Sequence, residues 1–364
     1  YLLALNTING LGPKTLSILL DKGFQPETLW QASHTLLNEH LPGHTRKDQL
    51  IDAWEFARQS VSPHNLVERY QTLNIHPIPF TSDKYPPKLK AIYAPPIILY
   101  VRGQLDPLYQ KTLAFVGTRN ISDYGKRTLQ HLIQGLSPSA PSIVSGLAAG
   151  VDGYAHELAI THHCPTVAVF GCGIDIVFPK KHTRLAQAIL DNGGTLVCEY
   201  PLGTPGSRST FPQRNRIIAG LSHATIVIEG GIKSGSLITA HHALEEGRSV
   251  FAVPGNIFAP GSQGPLQLIQ NGATALSHPQ QILDELHWQT PTLSIARKTS
   301  DSSAFITPPS TDEPLLKQIE YEPMSIEALQ QRTTLSMSEL NAQLTLLELD
   351  GKIKLLAGAK VCRY

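Results

Sequence analysis

The sequence has few residues of the kinds that would suggest a disulfide scaffold, a zinc site or a polycation. Its 364 residues include only four cysteines, and these form no C-x-x-C pair and no zinc-ligand spacing. Charged residues make up 16% of the chain and leave a net charge of +1. We therefore predict buried thiols in a reducing compartment. An anion site would have to come from a local cluster of cations, because the bulk charge is close to zero.

The chain also lacks a hydrophobic run long enough to span a membrane. Its apolar start, YLLALNTINGLG, is short, has no basic stretch before it and runs into Gly10, Gly12 and Pro13. This pattern is typical of neither a signal peptide nor a membrane span. Together with the cysteine usage, it predicts a cytoplasmic protein with no membrane partner.

Four segments follow one another along the chain, and together they predict an α/β protein. Residues 1–72 show helical periodicity, for example in KTLSILLDKG and RKDQLIDAWEFARQ. Residues 73–288 alternate apolar strand-like runs with helices, which predicts an extended Rossmann-like, doubly wound parallel sheet. Residues 289–313 are rich in Ser, Thr and Pro and predict a flexible linker. Residues 314–364 read as three helices and a hairpin, the pattern of a winged helix.

One stretch of the helical N-terminal segment has two interpretations. INGLGPKTLSILL has the glycine pattern of a helix-hairpin-helix turn, whose backbone N–H groups can hold a DNA phosphate at the start of a helix. It is equally typical of a plain turn inside a small helical bundle. The sequence leaves both interpretations open.

The loops after the strands of the middle segment carry its polar chemistry. In open α/β sheets, ligands bind outside the carboxyl ends of the strands. Glycine follows nearly every strand, and the same loops contain a set of cations, namely Arg119, Lys180, Lys181, Arg214, Arg216 and Lys233. Ser234, Gly235 and Ser236 are predicted to open a helix and to add hydroxyl and amide donors at its positive end. The loops therefore predict an anion site.

Familiar cofactor and metal patterns are absent from these loops. The first strand is followed by GTRN instead of G-x-G-x-x-G, and Ser145 ends the second strand where a dinucleotide-binding chain has an acidic residue. GGIKSGS has Ile232 where a P-loop requires glycine. Neighbouring histidines such as His241 and His242 point about 100° apart on a helix and cannot face one metal. We predict no cofactor, no metal site and no catalytic residue.

Two carboxylates end strands of the middle segment close to the predicted cations. Glu199 and Glu229 could act as acid or base groups, or could pair with the arginines of FPQRNRIIAG. Side chains two residues apart at a helix start point in different directions. We therefore expect one of Arg214 and Arg216 to face the anion while the other pairs with a carboxylate.

Several blocks of the middle segment resemble the DNA-processing protein A family, also called DprA or Smf. They are VGTRNISDYG, IVSGLAAGVDGYAH, GCGIDIVFP, FPQRNRIIAGLS, SGSLITAHHALEEGR and VFAVPGN, in the family's order and spacing. The resemblance implies a bacterial protein that binds single-stranded DNA without sequence preference and without catalytic turnover. It also implies a homodimer through the Rossmann-like domain and loading of the RecA recombinase during natural transformation.

The resemblance assigns site residues motif by motif. Phe178 replaces the tyrosine that the family usually has in its GxGIDxxYP block, and Leu266 stands where the family usually has asparagine. The residues implied to bind nucleic acid are Gly117, Thr118, Arg119, Lys180, Arg214, Asn215, Arg216, Lys233, Ser234, Gly235 and Ser236.

An enzyme is the alternative reading of the middle segment. IEGGIKSGSLITA distantly resembles the PGGxGTxxE loop of Rossmann-like nucleoside-monophosphate phosphoribohydrolases in the lysine-decarboxylase-like family. The proline and the glutamate of that loop are missing here, and Thr239 stands at the glutamate position.

The C-terminal segment, residues 314–364, has two possible functions. A winged helix often reads duplex DNA with its third helix, but SMSELNAQLTLLELDG contains Glu339, Glu348 and Asp350 and neither Lys nor Arg. The sequence favours a protein contact or a structural role for the tail.

Overall fold

The computed structural model describes residues 1–41, 47–288, 315–320, 322–333, 335–356 and 359–363. The chain divides into two units, Tyr1–Thr292 and Leu293–Tyr364. The predicted linker, 289–313, lies outside the described residues. Within the described ranges, no helix is both long enough and apolar enough to cross a membrane.

Helices precede the sheet, as the periodicity of residues 1–72 predicts. Proline occupies the first turn of three of them, where its missing N–H costs nothing, and the side chains of Ser33 and Ser62 cap two. The helices are α1 (Leu2–Leu5), α2 (Pro13–Asp21), α3 (Pro26–Trp30), α4 (His34–His40), α5 (Lys47–Ser60) and α6 (Pro63–Thr72).

A nine-stranded sheet forms the centre of the first unit, with the strand order β1-β2-β6-β5-β4-β3-β7-β8-β9. Its strands are β1 (His76–Pro79), β2 (Ile98–Gly103), β3 (Thr112–Val116), β4 (Ser142–Ser145), β5 (Thr166–Val169), β6 (Thr195–Cys198), β7 (Ala224–Val227), β8 (Ser249–Ala252) and β9 (Thr274–Ala275). From β6 across to β9 all pairings are parallel, which confirms the predicted parallel sheet.

The sequence reading missed the antiparallel edge of this sheet. β1 pairs antiparallel with β2, and β2 pairs antiparallel with β6. The prolines of HPIP in β1 and the two prolines just before Ile97 hide the strand signal. Proline is tolerated in β1 because β1 lies at the edge, where one side of the strand donates no ladder hydrogen bonds.

Helices cover both faces of the sheet because successive strand residues point to opposite sides. Leu113 and Phe115 of β3 pack in one apolar cluster, whereas Ala114 and Val116 pack in another. The helices interleaved with the strands are α7 (Pro87–Lys90), α8 (Asp123–Leu136), α9 (Val151–Thr161), α10 (Thr183–Asp191), α11 (Thr210–Leu221), α12 (Gly235–Glu245), α13 (Gln263–Gln270) and α14 (Pro279–Glu285).

The N-terminal helices share a continuous apolar core with the antiparallel edge of the sheet. Leu5, Trp54 and Tyr70 belong to the same buried cluster as Tyr100 of β2. The rings of Tyr70 and Tyr100 stack with centroids 5.0 Å apart, and Asn6 donates a hydrogen bond to the Tyr100 hydroxyl at 3.0 Å. The helices therefore brace β2, and through β2 the parallel part of the sheet.

The second unit has its own small core around Leu329, Leu340 and Val361. Its described elements are a 3₁₀ turn (Leu316–Gln318), β10 (Met324–Ser325), α15 (Ile326–Gln331), α16 (Met337–Leu349), β11 (Ile353–Leu356) and β12 (Lys360–Arg363). The predicted hairpin is confirmed as β11 and β12, and β10 adds a third strand to it. The described part of the first predicted helix is only the 3₁₀ turn.

All four cysteines are buried, as predicted. Burial disfavours the thiolate, so the pKa values of the Cys164 and Cys172 thiols rise to about 11. These thiols are core side chains without the depressed pKa of a nucleophile.

Candidate functional site

A crevice of about 800 Å³ opens at the carboxyl ends of β3, β4, β5 and β7. In the sheet, β3 lies between β4 and β7. The strands β4, β5 and β6 follow one another on one side of β3, and β7, β8 and β9 follow on the other, so the strand order reverses at β3. Ligands of open α/β sheets bind at such a switch point. The crevice is lined by Val116, Gly117, Thr118, Arg119, Ala148, Asp152, Phe178, Gly206, Ser207, Arg208, Phe211, Pro212, Arg214, Asn215, Ile218, Gly231, Ser234, Gly235, Ser236, Ile238 and Thr239.

The turn after β3 forms one wall and depends on close backbone packing. Gly150 adopts a φ of +81°, and a Cβ there would overlap the carbonyl oxygen of Thr118. The amide of Val151, the first residue of α9, donates to this carbonyl at 3.1 Å. Glycine at position 150 thus lets α9 begin directly against the Thr118 turn, which leaves Arg119 exposed at the rim.

The start of α12 forms the facing wall, as the sequence predicts. Ser234 is its N-cap residue, and the Ser234 hydroxyl oxygen accepts from the amide of Ser236 at 3.3 Å. The side chains of Ser234 and Ser236 also hydrogen-bond to each other at 2.8 Å. The first turn of a helix carries unpaired N–H groups and a partial positive charge, so this wall is suited to an anion.

Arg214 lies at the floor of the crevice with its guanidinium held by the protein itself. It is buried, and Nη1 donates to the carbonyl oxygens of Gly146 (2.7 Å) and Val169, while Nε donates to the Asn215 side chain (3.2 Å). Burial lowers the pKa of Arg214, and the nearby Asp152 opposes that effect. Burial likewise raises the pKa of the Asp152 carboxyl, against the opposing charge of Arg214. At the floor of the crevice, the buried Arg214 cation and the buried Asp152 carboxyl therefore interact electrostatically, and each favours the charged form of the other.

Arg216, two residues further along α11, faces away from the crevice. Its Nη2 donates to a carboxylate oxygen of Glu199, the residue that follows β6. The side chains are 16% and 7% exposed, respectively, so the pair is largely removed from water. The expectation that one of the two arginines pairs with a carboxylate matches this contact, whereas the other arginine is held by carbonyl groups.

Glu229 does not pair with either arginine. Its carboxylate accepts hydrogen bonds from the amide of Ser122 (2.9 Å) and from the Ser122 hydroxyl. Ser122 is in turn the N-cap of α8, so Glu229 ties the end of β7 to the start of that helix. The Glu229 carboxylate is therefore a structural group, because it is buried and accepts hydrogen bonds from two donors of Ser122.

Eight of the eleven sequence-assigned residues line the crevice, and three do not. Gly117, Thr118, Arg119, Arg214, Asn215, Ser234, Gly235 and Ser236 line it. Lys180 lies exposed in a 3₁₀ turn after Pro179, Lys233 lies exposed in the loop before α12, and Arg216 is paired with Glu199. Their assignment to nucleic acid stays a prediction.

Sequence reasoning did not assign Arg208, which lies in the long loop between β6 and α11. It also did not assign Phe178, which lies after β5, or Phe211, which lies in the first turn of α11. Arg208 is exposed and lines the crevice, and its signal was a lone cation in the Ser- and Gly-rich stretch PGSRST. Phe178 and Phe211 also line the crevice, and their ring centroids lie 5.1 Å apart. Phe178 is 51% exposed. Their apolar character alone is equally compatible with a place in the core. Only the tertiary fold brings these two rings together, because they belong to separate segments of the chain.

No group of three or more His, Cys, Asp or Glu side chains among the described residues is arranged to hold a metal ion. The described lining of the crevice contains one carboxylate, Asp152, which accepts from the amide of Gly146 at 3.2 Å. The chemistry of this lining is that of hydrogen-bond donors and cations.

Residues 76–287 match the family model of DNA recombination-mediator protein A, and residues 301–359 match the DprA winged helix domain. Protein Smf of Escherichia coli is 40% identical over 293 residues, or 79% of this chain and 77% of that protein. DNA processing protein DprA of Bacillus subtilis is 42% identical over 218 residues, or 60% of this chain and 73% of that protein.

Two solved structures are also similar to the chain. The X-ray structure of DprA from Streptococcus pneumoniae has a TM-score of 0.66 at 35% identity and covers 78% of this chain and 96% of its own. DNA processing protein A of Helicobacter pylori, described for its single-stranded DNA binding mode, has a TM-score of 0.53 at 26% identity, covering 58% of this chain and 95% of its own.

The fold and the crevice define a doubly wound α/β protein with a cation-rimmed crevice at the switch point of its sheet, followed by a winged helix. The family model covers more than half of the chain, and a relative 40% identical spans most of it. The chain therefore belongs to the DNA recombination-mediator protein A family, DprA/Smf.

Proposed function

We propose that the chain binds single-stranded DNA in the crevice without reading its sequence. The observation that carries the proposal is the facing arrangement of Arg119, Arg208 and the amino end of α12 around one open crevice. Cations and backbone amides bind phosphates wherever they occur along a strand, and such contacts hold no base information. The relatives named as DNA processing proteins, and the one described for its single-stranded DNA binding mode, support this proposal.

The aromatic pair in the crevice favours a single strand over a duplex. Phe178 and Phe211 offer ring surfaces next to the phosphate-binding groups. Stacking on such rings requires unpaired bases and tolerates every base, because each has a flat π surface. A duplex would keep its bases stacked on one another and would leave the rings unused.

The finer parts of the function rest on the family resemblance. We propose a cytoplasmic homodimer formed through the Rossmann-like domain, which protects incoming single strands and loads RecA onto them during natural transformation. We also propose that Lys180 and Lys233 extend the phosphate path beyond the crevice, because both are exposed cations on the same edge of the sheet.

The test is a fluorescence anisotropy titration of the full chain with oligo-dT and with a duplex of equal length. We expect a preference for the single strand and a slope of log K against log salt of about −2.8, if about four phosphates are neutralised. Arg119→Ala and Arg208→Ala should each weaken binding about tenfold or more, because a hydrogen bond between charged groups is worth about 1.5 kcal/mol or more. Each should also make the salt slope shallower by about 0.7.

Arg69→Ala is the matched control, since Arg69 is an exposed arginine in α6, outside the crevice. Unchanged affinity in both crevice variants, or equal binding of duplex and single strand, would contradict the proposal. The enzyme alternative is checked on the same preparation. Free base and ribose 5-phosphate released from nucleoside monophosphates would replace the binding function by phosphoribohydrolase activity, although Thr239 supplies no carboxylate to the crevice.

A further inference from the structure

An exposed apolar surface lies beside the crevice, on the same edge of the sheet. It consists of four side chains, Tyr124 (43% exposed), Ile232 (57%), Ile257 (68%) and Phe258 (85%), which we call the distal platform. Tyr124 lies in the first turn of α8, Ile232 in the loop after β7, and the other two in the loop after β8. None of these four side chains lines the crevice itself.

The three segments that carry the distal platform pack on one another. The amide of Gly230 donates to the carbonyl of Gly261 at 2.7 Å, and the amide of Gly264 donates to the carbonyl of Gly230 at 2.8 Å. The Tyr124 hydroxyl donates to the carbonyl of Pro254 at 2.6 Å. The loop after β8 is therefore fixed to both of its neighbours.

A tight turn holds Ile257 and Phe258 at the tip of the loop. The amide of Phe258 donates to the side-chain oxygen of Asn256 at 2.9 Å, and the amide of Ala259 donates to the Asn256 carbonyl at 2.9 Å. Two neighbouring large apolar side chains at a turn tip cannot both reach the core. Such a surface, with polar groups around it, typically marks an interaction site.

The crevice adjoins the loop that carries Ile257 and Phe258, and the surroundings of the two sites identify the occupant. Gly231 lines the crevice, and a Cβ there would lie 3.7 Å from the carbonyl oxygen of Pro260, in the loop of the distal platform. Lys233, next to Ile232, is an exposed cation, and Arg119 lies at the rim of the crevice. Of the nearby carboxylates, Asp123 lies 3.6 Å from Lys126, and Glu229 is buried against Ser122. Exposed apolar side chains beside exposed cations match a polyanion that carries flat apolar groups.

We propose that the distal platform is a second base-stacking subsite, which takes nucleobases of the same single strand after it leaves the crevice past Lys233. The inference rests on the proposed function, because it extends the path of that strand. Phe258 provides the most exposed ring, and the isoleucines provide apolar contact for the neighbouring base. The subsite gives affinity only to strands long enough to reach it.

The experiment compares two oligo-dT lengths, about four and about sixteen nucleotides, on the full chain by fluorescence anisotropy. Phe258→Ala should weaken binding of the long oligonucleotide by about fivefold or more, which corresponds to about 1 kcal/mol for one lost stacking contact. It should leave binding of the short oligonucleotide unchanged. Phe258→Trp should restore the long-strand affinity, because tryptophan offers a ring of at least equal area.

A long oligonucleotide with abasic positions outside its first few nucleotides separates base stacking from phosphate binding. The wild type should bind it about as weakly as Phe258→Ala binds the complete strand. Phe56→Ala is the matched control, since Phe56 is 70% exposed in α5 and belongs neither to the crevice lining nor to the distal platform. That variant should bind both lengths like the wild type.

Each other outcome overturns the inference in a distinct way. If Phe258→Ala binds both lengths like the wild type, the distal platform is not a subsite, while the proposed function stands. A change of oligomeric state by sedimentation, with DNA affinity unchanged, would make the distal platform a contact between copies of the chain. If neither length binds to the wild type, the proposed function itself fails.

Discussion

At the scale of single residues, the two arginines of FPQRNRIIAG differ in what holds them. Arg214 is held by the carbonyl groups of Gly146 and Val169, whereas Arg216 is held by the Glu199 carboxylate. Their spacing in the sequence predicts different directions, but it cannot name the acceptors, since each acceptor comes from a distant part of the chain. Of the two side chains, only Arg214 lines the crevice, so substitutions at the two positions should have different effects.

Arg216→Ala should destabilise the fold. The substitution leaves the buried Glu199 carboxylate without its partner, which costs about 3–5 kcal/mol for a buried pair broken on one side. Urea denaturation followed by far-UV circular dichroism measures the loss. The double variant Arg216→Ala with Glu199→Ala should recover part of it, because no unpaired charge then remains. If the single variant loses less than about 1 kcal/mol of unfolding free energy, the pair of Arg216 and Glu199 is as weak as an exposed salt bridge, and the prediction is wrong.

At the scale of elements, the crevice is made by the way α9 and α12 begin. Strand ends and helix starts are visible in the sequence as apolar runs followed by glycine and serine, so the walls of the crevice were predictable. The long loop between β6 and α11 was not, because its residues have no period and no pattern that says which side chain turns inward. Arg208 was missed for this reason.

Gly150→Ala should lower the free energy of unfolding by more than the backbone strain of alanine alone explains, because it also disrupts the crevice wall. Alanine at a φ of +81° is strained, and its Cβ would also overlap the Thr118 carbonyl. Gly193→Ala is the matched control, since Gly193 has a φ of +73° and a Cβ there would have no heavy atom within 4 Å beyond its chain neighbours. We expect about 1 kcal/mol of destabilisation for the control and more than about 2 kcal/mol for Gly150→Ala.

Oligo-dT affinity provides a second measurement for the same pair of variants. It should fall for Gly150→Ala, because the Thr118 turn and Arg119 would have to move, and it should stay unchanged for Gly193→Ala. Equal stability losses in the two variants would show that contact with Thr118 contributes nothing beyond backbone strain.

At the scale of the whole molecule, stability should depend on pH through the buried His156 and the partly buried His223. Burial, with the charges of His182 and Arg214 adding to it, lowers the pKa of His156 to about 3. Burial also lowers the pKa of His223 to about 4. The unfolded chain binds protons at these histidines below about pH 6.5, while the folded chain does not, so stability falls as the pH drops from about 6.5 toward about 4.

His156 alone should cost about 1.6 kcal/mol between about pH 6.5 and about pH 5. The measurement is the urea midpoint at both pH values for the wild type and for His156→Gln, which cannot be protonated. Asp152 and Glu199, whose pKa values burial raises, act in the opposite direction in both proteins. The difference between the two proteins therefore isolates His156. An identical pH dependence in both would show that His156 does not titrate as its burial indicates.

The pattern of apolar runs, glycines and cations in the sequence by itself determined the parallel strands, the helices between them, the hairpin of the tail and the edge of the sheet that carries the site. These features follow from local periodicity and from the rule that ligands bind at the carboxyl ends of parallel strands. Only the tertiary structure decided which arginine lines the crevice, that Phe178 and Phe211 meet, and that the loop after β8 packs on the loop after β7. Such contacts join residues far apart in the chain, and packing across the whole sheet selects them.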